Sequence, residues 1–212
     1  MESQQERYYT VDEYFALEEQ TPEKNEYFDG RIYAMAGSSL NHAQITVNVL
    51  FHLGLGFRGR SCRIFNSDVK VHVVETGLHT YPDVSALCGE PRFEDRRQAV
   101  LLNPTMLVEV LSPSTEGYDR GTKGTHYRTI PTLQEYVLIA QDEARIERFT
   151  RRGDPDAAWA LTVVNGLDAS VELPSVDCTL ALRDVYEHVE LPPRPPLRAV
   201  YERPADYVAA NF

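Results

Sequence analysis

A chain of 212 residues, 42% hydrophobic and 25% charged with a net charge of −11, fits one ordinary globular domain. It holds no apolar run of 18 residues and its polar opening, MESQQERYYT, lacks the core of a signal peptide, which excludes a helical membrane span and makes cytoplasmic residence the default expectation. The acidic balance opposes unaided binding to a polyanion, because lysine and arginine supply most non-specific affinity for phosphates.

In chain order, TVDEYFALEEQ (10–20) predicts a short helix with Thr10 as N-cap and Glu13 closing a capping box. NEYFDGRIYAM (25–35) predicts a hairpin turning at Asp29 and Gly30. Residues 38–57 predict a helix whose His42, Ile45, Val49 and Leu53 form one inward stripe. A strand over 62–75, a short strand over 79–89 entered through Pro82, and a solvated insertion over 91–100 follow. TMLVEVLS (105–112) is an apolar strand, and a helix is expected over 114–130, stopped by Pro131. LQEYVLIA (133–140) and ARIERFTR (144–151) read as a strand pair, and 159–164, 169–173 and 178–182 as further antiparallel strands. The order predicts an α/β or α+β fold on one central mixed sheet: a single domain over 1–190 followed by a proline-rich tail, 191–212.

Cys62, Cys88 and Cys178 are widely spaced and form no CxxC pair, so three reduced, partly buried thiols are expected. His52, His72, His79, His126 and His188 show no HExxH or H-x₃-H spacing, so the sequence supports no histidine zinc site. The absence of GxSxG and P-loop motifs argues against serine hydrolases and P-loop NTPases, and the GxGxxG string GLGFRG (54–59) closes a predicted helix where a Rossmann fingerprint would open one after a strand.

Glu109 interrupts an otherwise apolar run, Met106 to Leu111, and a lone buried carboxylate costs several kcal/mol unless it is compensated. Asp83 opens another strand. Two carboxylates on adjacent strands raise each other's pKa unless a cation lies between them. Mg²⁺ (or Mn²⁺) is the usual solution, with carboxylates, a backbone carbonyl such as that of Val110, and waters as ligands. Asp119, Lys123 and Tyr127 recur at i, i+4, i+8 and share a helical face that can return Lys123 to the same place. Taken singly, each has an ordinary explanation: Asp83 a turn residue, Glu109 paired with an arginine, Lys123 a solvated residue paired with Asp119, Tyr127 core, His42 a half-buried histidine, Glu26 a cross-strand partner.

The pieces Pro82-Asp83, VEVLSPST (108–115), Asp119…Lys123…Tyr127, the LQEYVLIA strand and the N-terminal NEYFDGRIYAMAGSSLNHAQI together resemble the bacterial Uma family, described as "putative restriction endonucleases", of the PD-(D/E)xK nuclease superfamily. The resemblance runs from about residue 10 to 182. It implies a restriction-endonuclease-like core, a mixed sheet flanked by helices with the metal site at one end. It implies Asp83 and Glu109 as metal ligands, Glu26 as an additional carboxylate and His42 lining the pocket. A literal ExK would place lysine at 111, which is Leu111 here, so the role passes to Lys123 on the following helix. The expectation is a Mg²⁺-dependent endonuclease acting on DNA. Lys123 would stabilise the transition state or position the attacking water, and Tyr127 would pack against the site. Arg58, Arg60 and Arg63, with Arg145, Arg148, Arg151 and Arg152, would track phosphates, and a C₂ homodimer would pair two sites. The alternatives are a binding or assembly module that keeps the nuclease fold, and a metal-dependent hydrolase of a small phosphate ester.

Overall fold

The computed structural model describes residues 7–35, 37–94, 100–154 and 158–193. Helix α1 (Val11–Glu18) begins with the expected capping box, Thr10 accepting the Glu13 amide and the Glu13 carboxylate accepting the Thr10 amide. Strands β1 (Asn25–Phe28) and β2 (Arg31–Ala34) form the hairpin. Its turn places both Asp29 (φ 49°) and Gly30 (φ 76°) in the left-handed region, which Asp and Gly tolerate best. Helix α2 (Leu40–Gly56) is capped by the Ser39 hydroxyl and buries Ile45, Val49 and Leu53.

The strand expected over 62–75 is two. β3 (Cys62–Asn66) and β4 (Lys70–Val73) belong to different sheets, separated by a turn in which the Asn66 side chain accepts the Asp68 amide. The next strand also divides, into β5 (Leu78–Thr80) and β6 (Val84–Cys88), on either side of Pro82. β7 (Val100–Leu101) and β8 (Met106–Leu111) follow. The helix expected over 114–130 is composite: α3 (Glu116–Tyr118), a π-helical segment (Asp119–Lys123) and α4 (Gly124–Thr129). The chain closes with β9 (Glu135–Ala140), β10 (Arg145–Arg151), β11 (Trp159–Asn165), β12 (Ser170–Leu173), β13 (Cys178–Ala181) and α5 (Leu182–Val185).

The fold is mixed α+β, with mixed sheets flanked by helices. Its strands are shared among a six-stranded sheet ordered β11-β10-β9-β8-β6-β3, a five-stranded sheet ordered β2-β1-β5-β4-β7, and the β12-β13 hairpin. β8 and β9 are parallel, as are β4 and β7. Period-two alternation sends Val84, Met106, Val108, Val110 and Ile139 to one face of the large sheet, against α2, α5 and the β12-β13 hairpin. Leu107, Leu111, Tyr136 and Leu138 point to the other face, against α4 and the five-stranded sheet. Glu109 therefore occupies a core position on that second face, between Leu107 and Leu111.

Two expectations need correction. Cys62 and Cys88 are joined in a disulfide, leaving Cys178 as the free thiol. They lie far apart in sequence, but the β3–β6 register sets them opposite each other. The expected solvated insertion over 91–100 is anchored where it is described: Phe93 bridges Leu101 and packs on the second core, and Val100 is buried, while residues 95–99 lie outside the described residues. Most of the proline-rich tail, from residue 194, lies outside the described residues. No helix among the described residues is long and apolar enough to cross a membrane.

Candidate active site

Four segments meet at Glu109. β8 supplies Glu109 itself and the start of β6 presents Asp83. β1 contributes Glu26, and the π-helical segment with α4 brings Asp119, Lys123 and Tyr127. Lys123 Nζ lies 2.9 Å from Glu109 Oε1, 3.0 Å from Glu26 Oε1 and 3.7 Å from Asp119 Oδ1. Tyr127, fully buried, donates to Glu109 Oε1 at 2.7 Å. Thr80 donates to Glu26 Oε1 and lies 3.5 Å from the Tyr127 hydroxyl. On the other side of Glu109, Asp83 Oδ2 accepts the Val110 amide at 2.7 Å and sits 3.1 Å from His42 Nε2. The Asp83 amide reaches Glu109 Oε2 at 3.4 Å. His42 comes from the first turn of α2, one turn before the buried stripe, so the helix that packs the core also aims the ring.

The electrostatics are unbalanced. Glu26, Asp83, Glu109 and Asp119 face one buried ammonium, Lys123, and one imidazole, His42. Burial, then the charges of Asp83 and Asp119, outweigh Lys123 and push the Glu109 carboxyl up to about 8. Burial also raises Asp119. For Lys123 burial works against the charge, but Glu109 and its neighbours win and hold the ammonium well above its ordinary value. For His42 burial is likewise overcome by Asp83, so its pKa rises. A surplus of carboxylates over cations, with burial raising Glu109 and Asp119, is donor chemistry that suits a hard divalent cation. Asp83 and Glu109 fit such an ion, with the Val110 carbonyl, which faces His42, beside them.

Every residue expected near Glu109 is in this cluster: Asp83, Lys123, Tyr127, Glu26 and His42. Two members were not expected as site residues. Thr80 sits in a three-residue strand, Leu-His-Thr, and carries no sequence signal. Asp119, 3% exposed, shows the right spacing but reads as a simple partner for Lys123.

The arginines are another matter. Arg151 is buried, donates to the carbonyls of Leu133, Arg128 and Ile130 and covers the Trp159 ring, so the expectation that it tracks phosphates is corrected. Arg145 is held by Glu147 at 2.8 Å, and Arg148 is bound to the Glu172 carbonyl. Arg60 donates to the Asp177 carbonyl at 3.1 Å. Arg58, Arg60, Arg63 and Arg152 are exposed. Arg58 lies beyond the far end of α2 from His42, roughly 24 Å along the helix at 1.5 Å per residue. A cavity of about 400 Å³ opens instead at the C-terminal ends of β8 and β9, lined by Leu111, Ser112, Arg120 and Gln141 among others.

Comparison with known proteins agrees with this architecture. The family model "Uma2: Putative restriction endonuclease" matches residues 11–183. The uncharacterized protein sll1609 of Synechocystis sp. is 41% identical over 163 residues, covering 77% of this chain and 91% of that one. The uncharacterized protein slr1290 of the same organism is 40% identical over 176 residues, covering 82% and 90%. A solved structure described as a "putative nuclease belonging to DUF820" from Anabaena variabilis superposes with a TM-score of 0.66 at 21% identity, over 84% of this chain and 97% of that one, and so shares the fold. With a match that spans the site from Glu26 to Tyr127, the chain belongs to the Uma2 family, described as "Putative restriction endonuclease".

Proposed function

We propose that the protein is a Mg²⁺- (or Mn²⁺-) dependent endonuclease that hydrolyses phosphodiester bonds in DNA, working as a two-fold dimer. The observation that carries this reading is the buried Glu109–Lys123 pair set beside Asp83 in a cluster with more carboxylates than cations. Asp83 and Glu109 would hold the ion, with the Val110 carbonyl. Bound there, Mg²⁺ would polarise the phosphate and acidify a water. Asp83 is oriented for this by the Val110 amide and His42, and Glu109 by Tyr127 and Lys123. Lys123 keeps its proton, so its contribution is positive charge aimed at the developing phosphorane and not proton abstraction. Glu26 and Thr80 fix the ammonium in place.

Cleavage of fluorescently labelled DNA in Mg²⁺ or Mn²⁺ tests the assignment. Wild type should cut, and Glu109→Gln should lose at least a hundredfold in rate while remaining folded. No cleavage by wild type, or full cleavage by Glu109→Gln, sinks it. Hydrolysis of nucleotides that DNA does not compete away would point to a small phosphate ester as substrate.

A further inference from the structure

Away from the carboxylate cluster, the antiparallel register of β4 and β5 sets His72 opposite His79. Alternation sends Val71, Val73 and Leu78 into the second core and the two histidines to the opposite face of the sheet. His79 is 1% exposed and enclosed by the rings of Tyr14, Phe15 and Tyr27. Its Nδ1 lies 3.3 Å from the Gly77 carbonyl. A neutral ring donating there presents a lone pair at Nε2. Nε2 is fully buried and makes no hydrogen bond. It faces Glu94 Oε2 at 3.4 Å, and His72 Nδ1 lies 3.0 Å from that same oxygen. A lone pair aimed at a carboxylate oxygen is repulsive unless a proton or a metal ion lies between them. Among the described residues, Lys70 also acts on His79 and is paired with Glu18 at 3.2 Å.

We propose that His72, His79 and Glu94 form a second metal site, for Zn²⁺, distinct from the nuclease cluster. Two imidazoles and one carboxylate are a zinc donor set that leaves a fourth position open. The Gly77 carbonyl supplies the partner that a metal-bound histidine requires on its other nitrogen. The ligand atoms lie within 4.8 Å of one another, and tetrahedral zinc with bonds near 2.0–2.1 Å asks for separations of about 3.3 Å. The rings are stacked, 3.9 Å apart and 15° from parallel, so sharing one ion requires the more exposed His72 ring to turn while buried His79 stays. The ion would fasten the segment around Glu94 to the β4–β5 hairpin. The sequence hid this site because histidine zinc spacings describe ligands on one helix, whereas these meet across strands.

The test is calorimetric titration of the chelator-treated full chain with ZnCl₂, repeated with Co²⁺ for the visible absorption of a tetrahedral site. The expected result is a zinc equivalent in the wild type that is retained in Asp83→Asn and weakened at least tenfold in Glu94→Gln and His72→Gln, with a rise in Tm on zinc addition lost in the same two variants. Glu94 and His72 are partly exposed, so these variants should fold, and metal-free melting checks that they do. No zinc bound by wild type, or binding lost in Asp83→Asn and kept in Glu94→Gln, overturns the proposal. Neither outcome bears on Mg²⁺-dependent cleavage.

Discussion

Glu109 replaces an apolar residue on a strand that is otherwise core, and the energetic consequence is measurable. Its carboxyl titrates near 4.5 in an unfolded chain and is pushed up to about 8 in the fold. Between those values the metal-free native state holds a proton that the unfolded state has lost, so stability should fall as pH rises through that window, by on the order of a few kcal/mol. Denaturant unfolding of the chelator-treated protein across the window checks this, and Glu109→Gln should flatten the dependence. The same proton competes with metal: Mn²⁺ affinity should weaken as pH falls below about 8, and a pH-independent affinity would show that Glu109 is not a ligand. Lys123 is the other half of the balance. Lys123→Met leaves Glu26, Glu109 and Asp119 without their ammonium and should cost about 3–5 kcal/mol. Adding Glu109→Gln should recover part of that loss, because the two side chains are 2.9 Å apart and their effects cannot add. Additive losses would mean that the pair is not coupled.

At the scale of elements, the carboxylates were legible and the device that delivers the lysine was not. A charge in an apolar strand announces itself, and so does Asp-Gly between two β-prone runs. Asp119, Lys123 and Tyr127 announce a shared face, but a single sequence carries no mark of the π-helical turn at Asp119–Lys123 that sets how this face meets Glu109. Such turns are rare and concentrate at functional sites. This one is braced from outside, since the Tyr136 hydroxyl donates to the Asp119 carbonyl at 3.0 Å. Gly124 follows it directly, and an added Cβ there would stand 3.0 Å from the Asp119 oxygen and 3.1 Å from Tyr136 Cε1. Gly124→Ala should therefore push the turn off its brace and displace Lys123, lowering the cleavage rate tenfold or more for a stability loss of about 1–3 kcal/mol. A rate unchanged from wild type would show that the turn tolerates the shift. The Cys62–Cys88 bond was hidden for a related reason. It depends on the register of two strands 26 residues apart, which spacing alone does not give.

For the whole molecule, the proposed cleavage of DNA by an acidic chain would need its phosphate contacts concentrated and, in a dimer, its two sites placed to reach two strands. The helix that carries His42 into the site also turns an apolar stripe outward: Val47, Phe51 and Leu55, exposed by 58, 59 and 46%, recur every four residues along α2. Three large apolar side chains on one face of a helix that already buries its other face against the core suit self-pairing about a two-fold axis, the commonest way a chain forms a dimer. Pairing along α2 would bury the stripe and fix the distance between two copies of the carboxylate cluster. Phe51→Glu places a charge in the middle of that contact, far from Glu109 in the chain and on the face of α2 opposite the core. Sedimentation should then show a wild-type dimer and a Phe51→Glu monomer. Double-strand breaks should give way to nicks, while hydrolysis of a single strand proceeds at the wild-type rate. A variant that stays dimeric would move the interface to another face, and a monomeric wild type that still cuts both strands would remove the need for a dimer.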